Sequence, residues 1–215
     1  ETHYPGRAMR TARGAKLSPL HERLVAQRAY FRDVSGWEGA DWYAPPGIGP
    51  TVDRLSWGRQ NWFEYWADEH RAAREGVIAM DMSFMATFLV QGRDAGRLLD
   101  HISAGAVDGE PGLITYTQWL NERGGIEADV TVTKLDGGQY LVQTAAATVV
   151  RELDRIRKHV GDRFVTVADV SAGAAMLSVM GPRSRELLQA LTDADLSHEV
   201  FPFGASREID LGCTF

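Results

Sequence analysis

The chain reads as an α+β protein, an antiparallel sheet with covering helices. Three observations predict this class. Ile114 to Thr144 contains three runs rich in Thr, Tyr, Trp, Val and Ile, separated by the turn segments Asn121-Glu122-Arg123-Gly124-Gly125 and Asp136-Gly137-Gly138, the pattern of an antiparallel meander. Thr148 to Val160 places Val149, Leu153, Ile156 and Val160 on one helical face and Arg151, Asp154, Arg155 and Lys158 elsewhere, so this helix can cover a sheet. The remaining strands and helices come in groups, without strict alternation of strand and helix. The hairpin from Tyr116 to Thr133 is the centre of the pattern.

The other elements follow in order. Residues 1 to 17, with Gly6 and Gly14, show little periodicity and read as an extended arm or linker whose partner is expected outside the chain. Ser18-Pro19 supplies an N-cap and a first-turn proline for a short amphipathic helix reaching about Tyr30. Phe31 to Trp57, with Trp37, Trp42, Tyr43, Pro45, Pro46, Gly47 and Gly49, reads as a long loop pinned by its aromatic side chains. Asn61 to Glu75 predicts a helix ended by Gly76. Val77 to Met82 and Ala86 to Gln91 predict strands, and Gly92-Arg93-Asp94 turns into a helix from Ala95 to Ile102. Asp108, Pro111 and Gly112 mark a loop. Phe164 to Val170 and Ala174 to Met180 predict two more strands, and Gly181-Pro182-Arg183-Ser184 opens a helix from Arg185 to Leu191. Arg207 to Phe215 reads as a strand and turn leading into a further element, as expected of a fragment of a larger protein.

Composition narrows the function classes. With 215 residues, 44% of them hydrophobic, there is enough chain for one sizeable core or a domain with an appendage. A net charge of −6 and a pI near 5.5 disfavour a nucleic-acid surface. The single cysteine, Cys213, precludes an internal disulfide framework and a thiolate metal site. With no signal peptide and no apolar run of spanning length, the expected setting is cytoplasmic, away from the membrane. His3, His21, His70, His101, His159 and His198 lack ligand spacing. A Gly-x-Ser-x-Gly elbow is missing, which disfavours hydrolase chemistry. So is a Gly-x-Gly-x-x-Gly flavin fingerprint after a strand.

Candidate site residues lie in and near the hairpin. Ile126, Ala128, Val130 and Val132 share one strand face, while Glu127, Asp129, Thr131 and Thr133 share the other. From periodicity alone Asp129 belongs to a solvated face; the functional alternative is a carboxylate lining a cavity. A five-residue loop at Asn121 to Gly125 pairs Thr117 with Asp129 and turns Tyr116 to the opposite face. A four-residue loop, or a bulge at Gly124-Gly125, brings Tyr116 and Asp129 together, and both registers remain open. Met85 offers a soft apolar surface, although filling a core gap is the commoner role of a methionine. Gly181-Pro182-Arg183 could offer a helix N-terminus to an anion, with a strand-to-helix turn the favoured reading.

Several blocks carry a family resemblance. Tyr116-Thr-Gln-Trp-Leu-Asn-Glu-Arg-Gly-Gly-Ile-Glu-Ala-Asp-Val-Thr-Val132, Asp81-Met-Ser-Phe-Met85, Phe88-Leu-Val-Gln-Gly-Arg-Asp94 and Val179-Met-Gly-Pro-Arg-Ser-Arg-Glu-Leu-Leu188 together resemble the aminomethyltransferase (glycine cleavage T-protein) family. Within that family the chain is similar to the folate-binding half of FAD-dependent dimethylglycine and sarcosine dehydrogenases. Ser18 to Val25 and Ser56 to Tyr65 resemble the join between the flavin and folate halves. The resemblance implies a T-protein-like folate-binding domain with a ferredoxin-like antiparallel part. Residues 1–55 would close the flavin half's central domain, and 56–215 would form the N-terminal part of the folate domain.

The implied reaction passes a one-carbon unit from an N-methylated glycine to tetrahydrofolate, giving 5,10-methylenetetrahydrofolate. FAD belongs to the N-terminal half outside this chain. Asp129 matches the family's essential carboxylate, and Tyr116 and Met85 match positions lining the pterin site. Where T-proteins usually carry two consecutive acids, this chain has Ala128-Asp129, and the later pterin-binding acid falls beyond Phe215. The remaining halves of the parent polypeptide are the expected partners. A stand-alone aminomethyltransferase of glycine cleavage and a non-catalytic folate-binding or structural module are the alternatives.

Overall fold

Helix and strand boundaries in the computed structural model, which describes residues 9, 11–48 and 52–212, follow the hydrophobic pattern closely. Arm residues 1–8 and 10, with His3 and Gly6, the loop residue Gly49, and the terminal residues from Cys213 lie outside the described residues. The chain divides into two compact units: one runs to Phe84 and includes Ala175–Leu187, and the other comprises Met85–Ala174 and the residues from Leu188.

The first unit holds α1 (His21–Ala26), β1 (Ala29–Val34), β2 (Trp37–Tyr43), α2 (Phe63–Glu75) and β3 (Ile78–Asp81). β1 and β2 form an antiparallel hairpin across Ser35 and Gly36, whose φ angles of 53° and 90° suit a tight turn. This corrects the loop expected over Phe31 to Trp57 in its first part, to Tyr43; the described residues from Ala44 to Trp57 form no strand or helix, as expected. The aromatic residues do pin the segment, but from strands. Trp42 is buried, stacks between Tyr30 and Tyr65 at 5.9 and 6.0 Å, and donates its indole N–H to Asp53 at 2.8 Å. The arm also has a partner within the chain: Arg13 pairs with Glu38, and Lys16 bridges Trp37. The first helix ends at Ala26 because the chain is taken into β1, and Leu20 occupies the N-cap position expected of Ser18. Ser18 still serves the turn, its hydroxyl accepting from Leu20 N–H at 3.2 Å. β3 pairs antiparallel with β9 (Leu177–Met180), a separate two-stranded ribbon.

The second unit holds β4 (Ala86–Gln91), α3 (Ala95–Ile102), β5 (Ile114–Leu120), β6 (Ile126–Lys134), β7 (Gln139–Thr144), α4 (Val149–Val160) and β8 (Thr166–Asp169). Its five strands run in the order β5-β6-β7-β4-β8, with every adjacent pair antiparallel. The sheet contains the expected meander as neighbours β5-β6-β7, and β4 lies between β7 and β8. α5 (Ser184–Gln189) follows β9. Among the described residues, Arg207 to Gly212 forms no strand, and a bridge pairs Leu113 with Ala205 nearby.

One sheet face makes the core. Phe88, Val90, Trp119, Val130, Val132, Tyr140 and Val142 project to the side of α3 and α4, where Leu98, Leu99, Ile102 and Ile156 are also buried. Each such large side chain removed from water stabilises the fold by roughly 1.5–3 kcal/mol. Period-two alternation then directs the intervening residues to the opposite face. Gly92 closes the turn after β4 with φ 138°, and a side chain there would collide with the Phe164 carbonyl.

Gly96 is required by proximity. A Cβ at this α3 position would overlap the Asp108 carboxylate and the Tyr140 hydroxyl. The carboxylate accepts from Lys134 Nζ at 2.6 Å and Tyr140 OH at 2.5 Å, and hangs from a loop fixed by Asp100, which accepts the Val107 and Asp108 N–H groups. Gly96→Ala is expected to destabilise the protein by about 1–3 kcal/mol in urea unfolding, since overpacking outweighs a helix-propensity gain of about 1 kcal/mol. An unchanged midpoint would contradict the contact.

The bonds from Lys134 and then Tyr140 hold the Asp108 carboxyl below its ordinary range. Burial, followed by donation to Asp108, pushes the Tyr140 hydroxyl up. A lowered folded-state carboxyl pKa gives stability that is present above about pH 4 and lost as pH falls through the folded value. Urea midpoints between pH 7 and 3 should therefore fall at the acid end in the native protein, and less steeply in Asp108→Asn.

Candidate functional site

The β5–β6 register determines which side chains meet. Leu120 pairs with Ile126, but Trp119 pairs with Ala128, leaving Glu127 as an extra residue in β6. This bulge settles the two registers open to sequence. Gln118 then lies opposite Asp129, Thr117 opposite Val130 and Tyr116 opposite Thr131, so Tyr116 and Asp129 share a face. The five-residue loop persists, and the bulge sits at Glu127, two residues beyond the expected glycine pair. Asn121 organises both: its side-chain oxygen accepts from Arg123 and Gly125 N–H at 3.0 and 2.9 Å, while its amide donates to Glu127 Oε1 at 2.7 Å.

Asp129 is exposed, on the sheet face away from the helices. Tyr116 OH donates to Oδ2 at 2.5 Å and Gln118 Nε2 donates to Oδ1 at 2.9 Å. Donation to the carboxylate, with desolvation a smaller cause, raises the Tyr116 hydroxyl pKa, so the phenol remains a proton donor. Tyr116 is 67% exposed, and its ring offers a flat surface to a ligand. Across the sheet the same face carries Tyr116, Thr131, Gln143 and Thr87 in one line of paired residues.

Burial explains why one acid, and not two, stands at positions 128 and 129. Ala128 is 4% exposed and points into the core beside Trp119, so an acid there would face apolar side chains. Met85 is half-buried at the bend before β4. Its neighbour Ala86 pairs with Thr144 at the end of β7, which places Met85 two strands from β6, a separation of about 10 Å. The structure thus brings Tyr116 and Asp129 together and leaves Met85 apart from their hydrogen bonds. Gln118 was not singled out from sequence, because only the Glu127 bulge places it opposite Asp129. The Gly181 turn is structural: Ser184 OH bonds the Gly181 carbonyl at 2.8 Å, and Arg183 is engaged by Glu186. Among the described residues no cluster of three or more His, Cys, Asp or Glu could hold a metal ion, and no helix is long and apolar enough to cross a membrane.

Residues 20–214 match the GCVT N-terminal domain, and the chain belongs to that family. It is 39% identical over 209 residues to 4-methylaminobutanoate oxidase (formaldehyde-forming) of Paenarthrobacter nicotinovorans, covering 97% of this chain and 25% of that protein. It is 31% identical over 196 residues to human mitochondrial dimethylglycine dehydrogenase, covering 90% of this chain and 22% of that one. The chain therefore spans about a quarter of the length of these relatives. The crystal structure of glycine cleavage system aminomethyltransferase T from Bartonella henselae superposes with a TM-score of 0.67 at 22% identity, covering 82% of this chain and 43% of that one, and shows the shared fold.

Asn121→Ala is expected to cost about 1–2 kcal/mol, since it leaves loop N–H groups and Glu127 without their partner. It should also weaken any ligand bound at Asp129 by loosening the bulge. Urea unfolding and ligand titration check the two effects; a stability loss without a change in binding would uncouple loop and site.

Proposed function

We propose that this chain is the part of an FAD-dependent N-methyl amino acid dehydrogenase that binds tetrahydrofolate and takes up the one-carbon unit, giving 5,10-methylenetetrahydrofolate. Dimethylglycine and sarcosine define the substrate class. In this reading residues 1–55 end the central domain of the flavin half, and the rest of a larger polypeptide carries the flavin. The supporting observation is the Asp129 carboxylate on the open sheet face, hydrogen-bonded by Tyr116 and Gln118, in a chain of the GCVT family.

The residues suit a folate and the cationic carbon it receives. Tetrahydrofolate, when bound, supplies the nitrogen nucleophiles of the transfer. Asp129 offers carboxylate oxygens to ring N–H groups and negative charge to a neighbouring iminium. A unit charge about 4 Å away is stabilised by about 1 kcal/mol in water and about 4 kcal/mol at an effective dielectric near 20. The carboxylate therefore acts most strongly once ligand excludes water from this face. Tyr116 presents its ring for stacking while its hydroxyl stays on Asp129.

The test uses the whole parent protein with dimethylglycine or sarcosine and tetrahydrofolate. Asp129→Asn should lower methylenetetrahydrofolate formation about a hundredfold, the size of effect found for a lost electrostatic stabiliser. Trapped formaldehyde should rise, while flavin reduction in stopped flow stays within about twofold of the unmodified enzyme. Equal loss of both activities, or unchanged capture, overturns the proposal.

A further inference from the structure

Both oxygens of Asp129 are held, one by Tyr116 and the other by Gln118. Both donors are neutral, so together they orient the carboxylate without cancelling its charge. Gln118 is itself anchored. It lies directly opposite Asp129 in the ladder, and on its other side its carbonyl accepts Ala104 N–H at 2.8 Å. Its neighbours are buried and tied to the same segment: Thr117 Oγ1 accepts Gly105 N–H at 2.9 Å, and Trp119 Nε1 donates to Ser103 Oγ at 3.1 Å. The orientation of the amide follows from charge, because the reverse would set its oxygen against a carboxylate oxygen.

We propose that Gln118 is a positioning residue for one-carbon transfer, fixing the plane of the Asp129 carboxylate so that its charge faces the cationic carbon. This inference rests on the function proposed above. Solubility alone does not require an amide here, since any polar side chain would serve an exposed strand face. Holding the second carboxylate oxygen needs an N–H donor on a stem of this length. The negative charge left uncancelled by two neutral donors suits a cationic adduct, whereas a lysine or arginine in place of Gln118 would neutralise it.

The experiment compares Gln118→Met, which keeps volume but lacks the donor, with Asp129→Asn in the whole parent protein. Gln118→Met should slow one-carbon capture about tenfold in single turnover, the effect of losing one hydrogen bond to a charged group. The KM for tetrahydrofolate and the rate of flavin reduction should stay within about twofold, and released formaldehyde should rise to match the lost capture. If Gln118→Met fails to fold, Gln118→Leu, which likewise lacks a donor and adds no charge, should show the same split. Loss of capture in Asp129→Asn with unmodified capture in the Gln118 variant, or a change in KM alone, overturns this inference and leaves the functional reading standing. Unmodified capture in Asp129→Asn overturns both.

Discussion

One extra residue in a strand, Glu127, sets the chemistry of the hairpin. Without it the chain of pairings would run Leu120 to Ile126, Trp119 to Glu127 and Gln118 to Ala128, and each residue of β6 would face a partner from the wrong side of β5. With it, the buried residues Thr117 and Trp119 meet Val130 and Ala128, and the polar Gln118 meets Asp129. The bulge is held from two directions. Asn121 binds the Glu127 side chain at 2.7 Å, and Arg151 of α4 binds the Glu127 carbonyl at 2.7 Å. A loop and a helix from the opposite face thus share in maintaining one register.

The core and the candidate site are two outcomes of the same alternation. Helices α3 and α4 need an apolar surface, which β4, β6 and β7 supply with Phe88, Val90, Val130, Val132 and Val142. The residues between them must then turn outward, and Asp129 is one of these. A carboxylate on the helix side would require paired burial. Glu152 shows the difference: it is buried, and the Thr144 hydroxyl and Arg151 provide its partners. Asp129 keeps an exposed position and neutral partners, which leaves its charge available.

Much of this was legible in the sequence where local pattern and tertiary burial agree. β4 and α3 occupy the expected residues because Ala86, Phe88 and Val90 alternate strictly and Ala95, Leu98, Leu99 and Ile102 recur at helical spacing. The meander and α4 follow for the same reason. The hairpin over Phe31 to Tyr43 is not legible because the prolines and glycines that follow it mask its pattern, and its strands are ordered by stacking of Trp42 against Tyr30 and Tyr65. The family is readable from motif; the hydrogen bond joining Asp129 to Tyr116 is not, since a bulge beyond a glycine turn leaves no compositional mark. Gln118 was hidden for the same reason. It acquires a partner only when the register shifts by one.

The segment after α3 has a further consequence. β5 stands at the edge of the sheet, where unpaired backbone groups invite another chain to add a strand. Residues Ser103 to Gly105 cover that edge at Thr117 to Trp119 with an antiparallel bridge, which includes the Ala104 N–H to Gln118 carbonyl bond, and with two side-chain bonds. Strand addition along this stretch is blocked. The same cover that steadies the hairpin protects this edge from pairing with another chain.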